Sequence, residues 1–179
     1  MSEDVFDVIR KRRTIRKFTD QEVSREQIDL LLEMAMCAPN RLNHQPWHFI
    51  VIQDQGKQKE FADFLRIHSY LEDASAVIVA CADPRASTTW AMDVSAAVEN
   101  LMIGATALGL GTAWVGSPDS VTWSMFEEAV RDSLSIPIEV RVVALVAVGY
   151  SAQERPPHSK KDRFDTAKVH YGRWENRNL

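Results

Sequence analysis

Cysteine is scarce: Cys37 and Cys81 are the only two in 179 residues, far apart and each in an apolar run. That count leaves no disulfide framework, and no CxxC spacing marks a metal or redox site. Both thiols are expected to be buried and reduced. Long hydrophobic runs are also missing; none approaches the ~18 residues needed to cross a bilayer. The opening "MSEDVFDVIRKRR" has no apolar stretch behind its charges, as a secretory leader would. A cytoplasmic protein without a membrane partner is expected. Positive charge is in deficit overall, with 21 Lys and Arg against 25 Asp and Glu, a net charge of -4 and a pI near 5.7. A dedicated nucleic-acid binder carries a basic face over its whole domain, so nucleic acid is not an expected partner.

Several catalytic signatures are absent too. No GxxxxGK[ST] loop is present, and "GLGTAW" fails the dinucleotide pattern because its last position is Trp114 and it follows a helix. His44 and His48 are four apart, but Pro46 between them prevents the helix that would aim both at one metal. There is no GxSxG elbow and no Cys/His nucleophile pair. No catalytic side chain and no metal ligand is therefore assigned.

What is present suits one globular domain spanning 1–179, with 45% hydrophobic and 26% charged residues. Val5, Phe6 and Ile9 form a short helical stripe. Ser24 with Gln27 makes a capping box ahead of Ile28, Leu31, Leu32 and Ala35, a helix that Pro39 stops. "HFIVIQ" reads as a strand, "QGKQKEFADFL" as an exposed helix and "SAVIVACAD" as a buried strand. From Trp90 to Leu108 the sequence is apolar nearly all round, as in a core helix. Its alanines admit either a second copy across a dimer axis or a central helix within one chain. Gly109 and Gly111 should stop it, with "TAWVG" extended after them. Ser117-Pro118 should open another helix, with Phe126, Ala129, Val130 and Leu134 inward. "VRVVALVAVGY" is the strongest strand. The last thirty residues are polar but end in Tyr171 and Trp174, which predicts a tail that docks. Few strand-helix-strand units appear, so the expected class is α+β.

Against this acidic background, six of the eight residues from Arg10 to Lys17 are Lys or Arg. If Arg12 and Arg16 share a helical turn they lie on one face, with Thr14 between them. Guanidinium forks match phosphate oxygens, each charge-assisted hydrogen bond contributing about 1.5–3 kcal/mol. The alternative is a solvated basic face complementing the helix dipole. A second unusual stretch is "CAPNRLNHQPWHFIVI", a loop of amide side chains with a proline near either end. It can present fixed donors and acceptors to a heterocycle edge, or be an ordinary turn with an aromatic anchor.

The stretch "RRTIRKFTDQEVSREQIDLLLEMAMCAPNRLNHQPWHFIVI" resembles the N-terminal signature of the nitroreductase-like FMN oxidoreductases. "GLGTAWVG", the terminal "VGY" of the late strand, and "KKDRF" with "HYGRW" in the tail are similar too, in the expected order. The resemblance implies an α+β fold with a mixed, mainly antiparallel sheet flanked by helices. It also implies an intertwined homodimer with FMN at the interface and residues 150–179 embracing the partner. By the same resemblance, Arg12, Arg13, Thr14 and Arg16 hold FMN phosphate and ribityl groups, and Lys161 and Arg163 close on the phosphate. Pro39, Asn40, Arg41 and Asn43 touch the flavin of the other subunit, and Val115 and Gly116 run past the ring. The sequence departs from the pattern at Asn40, where the family has Ser, and at the bulky Arg41. The implied activity is a ping-pong transfer of hydride from NADH or NADPH to a nitroaromatic, quinone or related small acceptor. Alternatives are an FMN-binding module that stores or senses, or a dehalogenating or flavin-fragmenting member of the family.

Overall fold

The computed structural model describes residues 4–66, 68–116 and 121–174. Asp4 starts α1 (Val5–Lys11) by accepting from the Phe6 N–H at 3.0 Å. The capping box forms as expected at α2 (Arg25–Met36): Ser24 Oγ accepts from Gln27 N at 3.2 Å, and Gln27 Oε1 from Ser24 N at 3.1 Å. There follow β1 (Trp47–Ile52), α3 (Gln55–Leu65), β2 (Ala76–Ala82), α4 (Trp90–Ala107), β3 (Leu110–Val115), α5 (Val121–Leu134), β4 (Arg141–Tyr150) and a single-turn α6 (Lys160–Arg163). Gly109, at φ 75°, turns the chain after α4, but Gly111 lies inside β3 and does not stop the helix. The expected helix opening at Ser117-Pro118 lies outside the described residues.

The four strands form one sheet in the order β1-β2-β4-β3, every neighbouring pair antiparallel. β2, fully buried, and β4, buried except at its two ends, occupy the centre, which explains their unbroken Val, Ile, Leu and Ala runs. Ala76, Ile78, Ala80 and Ala82 face α2 and α4, whereas Val77, Val79 and Cys81 face α3 and α5. The alternation slips once: Ala80 pairs with Ala144 and Cys81 with Val142, leaving Val143 as a bulge.

α4 covers the sheet through Val94, Ala97, Val98, Leu101, Met102 and Ala105, and α2 packs beside it. A Cβ on Gly104 would come within 3.3 Å of Met34, so the missing side chain lets the two helices approach closely. On the other face, Phe126 of α5 meets the rings of Phe61 and Trp123. Cys81 is buried as expected and both cysteines are free, but Cys37 is exposed. It caps the C-terminus of α2, where the apolar stripe has already turned away. Among the described residues no helix is long and apolar enough to cross a membrane.

Candidate functional site

The basic segment does not continue α1. Arg12 closes the helix, its N–H donating to Val8 O, and its ψ of 114° turns the chain extended. Thr14 then bridges to Thr112 in parallel, and Ile15 N donates to Thr112 O at 2.9 Å. Phe18 bridges to Ser151. Two glycines make room for this. A Cβ on Gly111 would lie 2.8 Å from Ile15, and one on Gly149 would lie 2.8 Å from Phe18. The helical face shared by Arg12 and Arg16 is therefore not formed. Packing of the β-branched Ile15 against the sheet edge, a contact remote in sequence, overrides the local helical reading.

The polar tail runs alongside the same segment. Ala152 N donates to Lys17 O at 2.9 Å, and His158 N to Arg10 O at 2.8 Å. Arg13 donates to the carbonyl of Pro156. Arg163 Nε donates to Nδ1 of the half-buried His158 ring at 3.0 Å. Burial holds the His158 pKa below the usual imidazole value, and the charges of Arg163, Arg13 and Arg12 add to it in that order. Arg12 also pairs with Glu99 of α4 at 3.1 Å. Three of the expected residues, Arg12, Arg13 and Arg163, thus converge on one imidazole, with Thr14 half-buried next in the chain.

Arg16 and Lys161 do not join them. The Arg16 guanidinium lies 5.7 Å from the Tyr70 ring centroid, and the Tyr70 hydroxyl is 2.8 Å from His68 Nδ1. Burial lowers the His68 pKa, and Arg16 lowers it further. Lys161 is exposed on α6. Two residues missed by sequence reading contribute instead. His158 follows Pro156-Pro157, a stiff pair that fixes where the imidazole emerges. Gln153 Oε1 accepts from Arg16 N at 3.4 Å, while its buried Nε2 has no hydrogen-bond partner among the described residues.

The amide loop is organised differently. Leu42, Asn43 and Gln45 all have positive φ, at 50°, 58° and 47°. Asn tolerates this region, but Leu and Gln are strained there. Asn40 Oδ1 accepts from Gln45 N at 2.9 Å, and Asn43 Oδ1 from Gln45 Nε2 at 2.9 Å. Much of the amide capacity expected to face a heterocycle is thus used within the loop. The loop is anchored to α4 by buried Asp93, which accepts from Arg41 N at 3.2 Å, Ser87 Oγ at 2.6 Å and Thr89 Oγ1 at 3.1 Å. The Arg41 guanidinium donates to Thr88, and Pro39 is exposed. Among the described residues no hydrogen bond or ion pair joins Pro39, Asn40, Arg41 or Asn43 to the cluster around His158.

Val115 ends β3 buried, and Gly116 follows it exposed. A Cβ on Gly116 would lie 2.6 Å from the Val143 carbonyl, on the bulge of β4. Only glycine lets the chain leave the sheet by that route.

The model of the nitroreductase family matches residues 9–69 and 65–150. The chain belongs to the nitroreductase family. A provisionally named NADH dehydrogenase/NAD(P)H nitroreductase of Archaeoglobus fulgidus is 36% identical over 178 residues, covering 96% of this chain and 99% of the relative. An FMN reductase [NAD(P)H] of Bacillus subtilis is 26% identical over 175 residues, covering 89% of this chain and 69% of its own. Among solved structures, an FMN-dependent nitroreductase from Clostridium difficile superposes with a TM-score of 0.88 at 29% identity, covering 94% of this chain and 99% of that one. This nitroreductase-family chain thus has its expected α+β class, with a sheet wholly antiparallel between neighbouring strands. Among the described residues the one parallel contact is the Thr14 bridge.

Proposed function

We propose that this protein is an FMN-dependent oxidoreductase that takes reducing equivalents from NADH or NADPH and delivers them to a small oxidised acceptor, of the nitroaromatic or quinone kind. The observation that carries the reading is the tail laid along the basic segment, with Arg163 on the His158 ring, Arg13 on the Pro156 carbonyl and His158 N on Arg10 O beside Arg12. Three guanidiniums with one paired carboxylate, Glu99, suit a phosphate monoester, whose oxygens accept from planar N–H forks. The unpartnered Gln153 Nε2 beside Arg16 is a further donor of the kind a ribityl or phosphate oxygen satisfies.

In this reading Arg12, Arg13, Arg163 and Thr14 hold the phosphate. Arg16 stands one step along the same extended segment, and Lys161 closes from the tail. Val115 and Gly116 offer the end of β3 as a flat approach for the ring system. FMN supplies the hydride-accepting and hydride-donating centre. The chain's own part is to bind, orient and exclude water.

Pro39, Asn40, Arg41 and Asn43, anchored at Asp93, serve the second subunit of a homodimer. Exposed apolar side chains on three elements support this. Val5, Phe6 and Ile9 lie on α1, Leu42 and Met92 beside the loop, and Phe164, Tyr171 and Trp174 in the tail. Tyr171 and Trp174 are 81% and 79% exposed in the single chain, so the surface on which they dock belongs to the partner in this reading. The whole chain is one domain, with residues 150–179 as the embracing tail.

The test is an absorbance spectrum of the purified protein, taken before and after acid release of the cofactor. Flavin bands that release FMN, bleach with NADH or NADPH and return with a quinone are expected. A protein that neither carries nor takes up FMN overturns the reading. Sedimentation should show a dimer whose mass does not change with concentration.

A further inference from the structure

The His158 ring makes a charge imbalance visible. Arg12 and Arg13 on the extended segment and Arg163 on α6 place three positive charges around it, and Asp162 of α6 adds a negative one. Glu99 of α4 contributes a second negative charge through its pair with Arg12. Three against two leaves one positive charge. A phosphate dianion would add two negative charges beside the ring, and these favour a proton on His158.

We propose that His158 is a fourth phosphate-binding residue, and that its imidazole takes up a proton from solvent when the dianion enters. This rests on the FMN reading above. The geometry gives the route. Both ring nitrogens face Arg163, Nδ1 at 3.0 Å from its Nε and Nε2 at 3.0 Å from its Nη2, and the neutral ring accepts at Nδ1 from Nε. Protonation at Nδ1 ends that bond. The Arg163 Nε–H is then free to turn to the phosphate, and the imidazolium presents two donors of its own. The charges of Arg163, Arg13 and Arg12 oppose this proton. The dianion removes the opposition. Backbone tethers keep the ring in place, since His158 N donates to Arg10 O and the Pro156 carbonyl holds Arg13. Binding becomes a sensor of proton supply as well as of phosphate.

FMN affinity then rises as pH falls from 8 towards 6.5, by no more than about tenfold per pH unit for a single linked proton. Below this the cofactor's own phosphate, whose second pKa is about 6, begins to lose charge and reverses the trend. The experiment is calorimetric titration of the cofactor-stripped protein with FMN at pH 7 in two buffers of different ionisation enthalpy. Riboflavin, which lacks the phosphate, is run in parallel. Net proton uptake with FMN and none with riboflavin is expected. His158→Gln should abolish the uptake and weaken FMN about tenfold at pH 6.5, leaving riboflavin unchanged. FMN binding by the native protein without proton uptake overturns the inference and leaves the FMN reading standing. So does a His158→Gln variant that keeps the native pH profile. Failure of the native protein to bind FMN at any pH overturns both.

Discussion

The clamp around His158 and the loop from Asn40 to Gln45 both gather polar side chains, yet they spend their backbone and their hydrogen bonds in opposite ways. The clamp draws on segments about 150 residues apart in sequence, one bridged to the sheet edge and the other hydrogen-bonded along it and ending in α6. Its charges crowd one another and are only partly neutralised. The loop is local and strained, with three non-glycine residues at positive φ, and it satisfies its own amides and Asp93. The clamp is thus a store of unmet charge. The loop is a fixed shape that presents Leu42, 77% exposed, with little polarity to spare. Charge on one side and form on the other are what a ligand with an anionic tail and a flat ring requires.

The sharpest way to break the comparison is to remove the charge. Arg12→Ala and Arg163→Ala should each weaken FMN binding about tenfold or more, and the double variant about a hundredfold, in a flavin-fluorescence titration. Riboflavin should be nearly indifferent. An equal loss for riboflavin would mean that the clamp grips the ring and not the phosphate.

Asp93→Ala attacks the other region. It strands Arg41 N and leaves the buried Ser87 hydroxyl with Thr89 alone, at a cost of about 1–3 kcal/mol of stability in chemical denaturation. Phosphate affinity should hold while acceptor turnover falls. Loss of phosphate affinity equal to that of Arg163→Ala would merge the two regions into one unit.

Acid sharpens the contrast from the clamp side. His158 and His68 both prefer the neutral form when folded, burial being the first cause in each. The unfolded chain therefore binds more protons as pH falls below about 6.5 towards their lowered folded values. Cofactor-free protein should lose thermal stability through this window. FMN-loaded protein should lose less, because the anion favours the His158 proton. The smallest effect belongs to Leu42→Gly, which relieves an αL strain of about 1–2 kcal/mol and returns part of that as glycine's backbone entropy. A melting curve should show a rise equivalent to less than about 1 kcal/mol.

Local signals were readable in the sequence wherever a few neighbouring residues decide the structure. Ser24 and Gln27 announce α2, Pro39 follows its end, and unbroken Val and Ala runs mark β2 and β4 as central. Of the proposed site, Arg12, Arg13 and Arg163 could be picked out as candidates in the sequence, but their arrangement could not. The helical geometry expected for Arg12 and Arg16 fails because Ile15 meets Gly111, almost a hundred residues away, and no local propensity encodes that contact. The Val143 bulge that receives Gly116 depends on register across two strands. Exposure of Cys37 depends on where α2 turns out, and His158 became visible only once the tail was seen to fold back along Arg10–Lys17.

The Thr14–Thr112 bridge has one more consequence, for solubility. β3 is a border strand of the sheet, and an uncovered border invites pairing with another chain. The basic segment occupies part of that border itself, hydrogen-bonding to Thr112 and lining it with arginines that repel a like-charged copy. A side chain at Gly111, such as Gly111→Val, would push Ile15 off and uncover the strand at the moment the anion grip is lost. In this protein a failure to hold the ligand and a tendency to aggregate would arrive together, from the same few ångströms of displaced backbone.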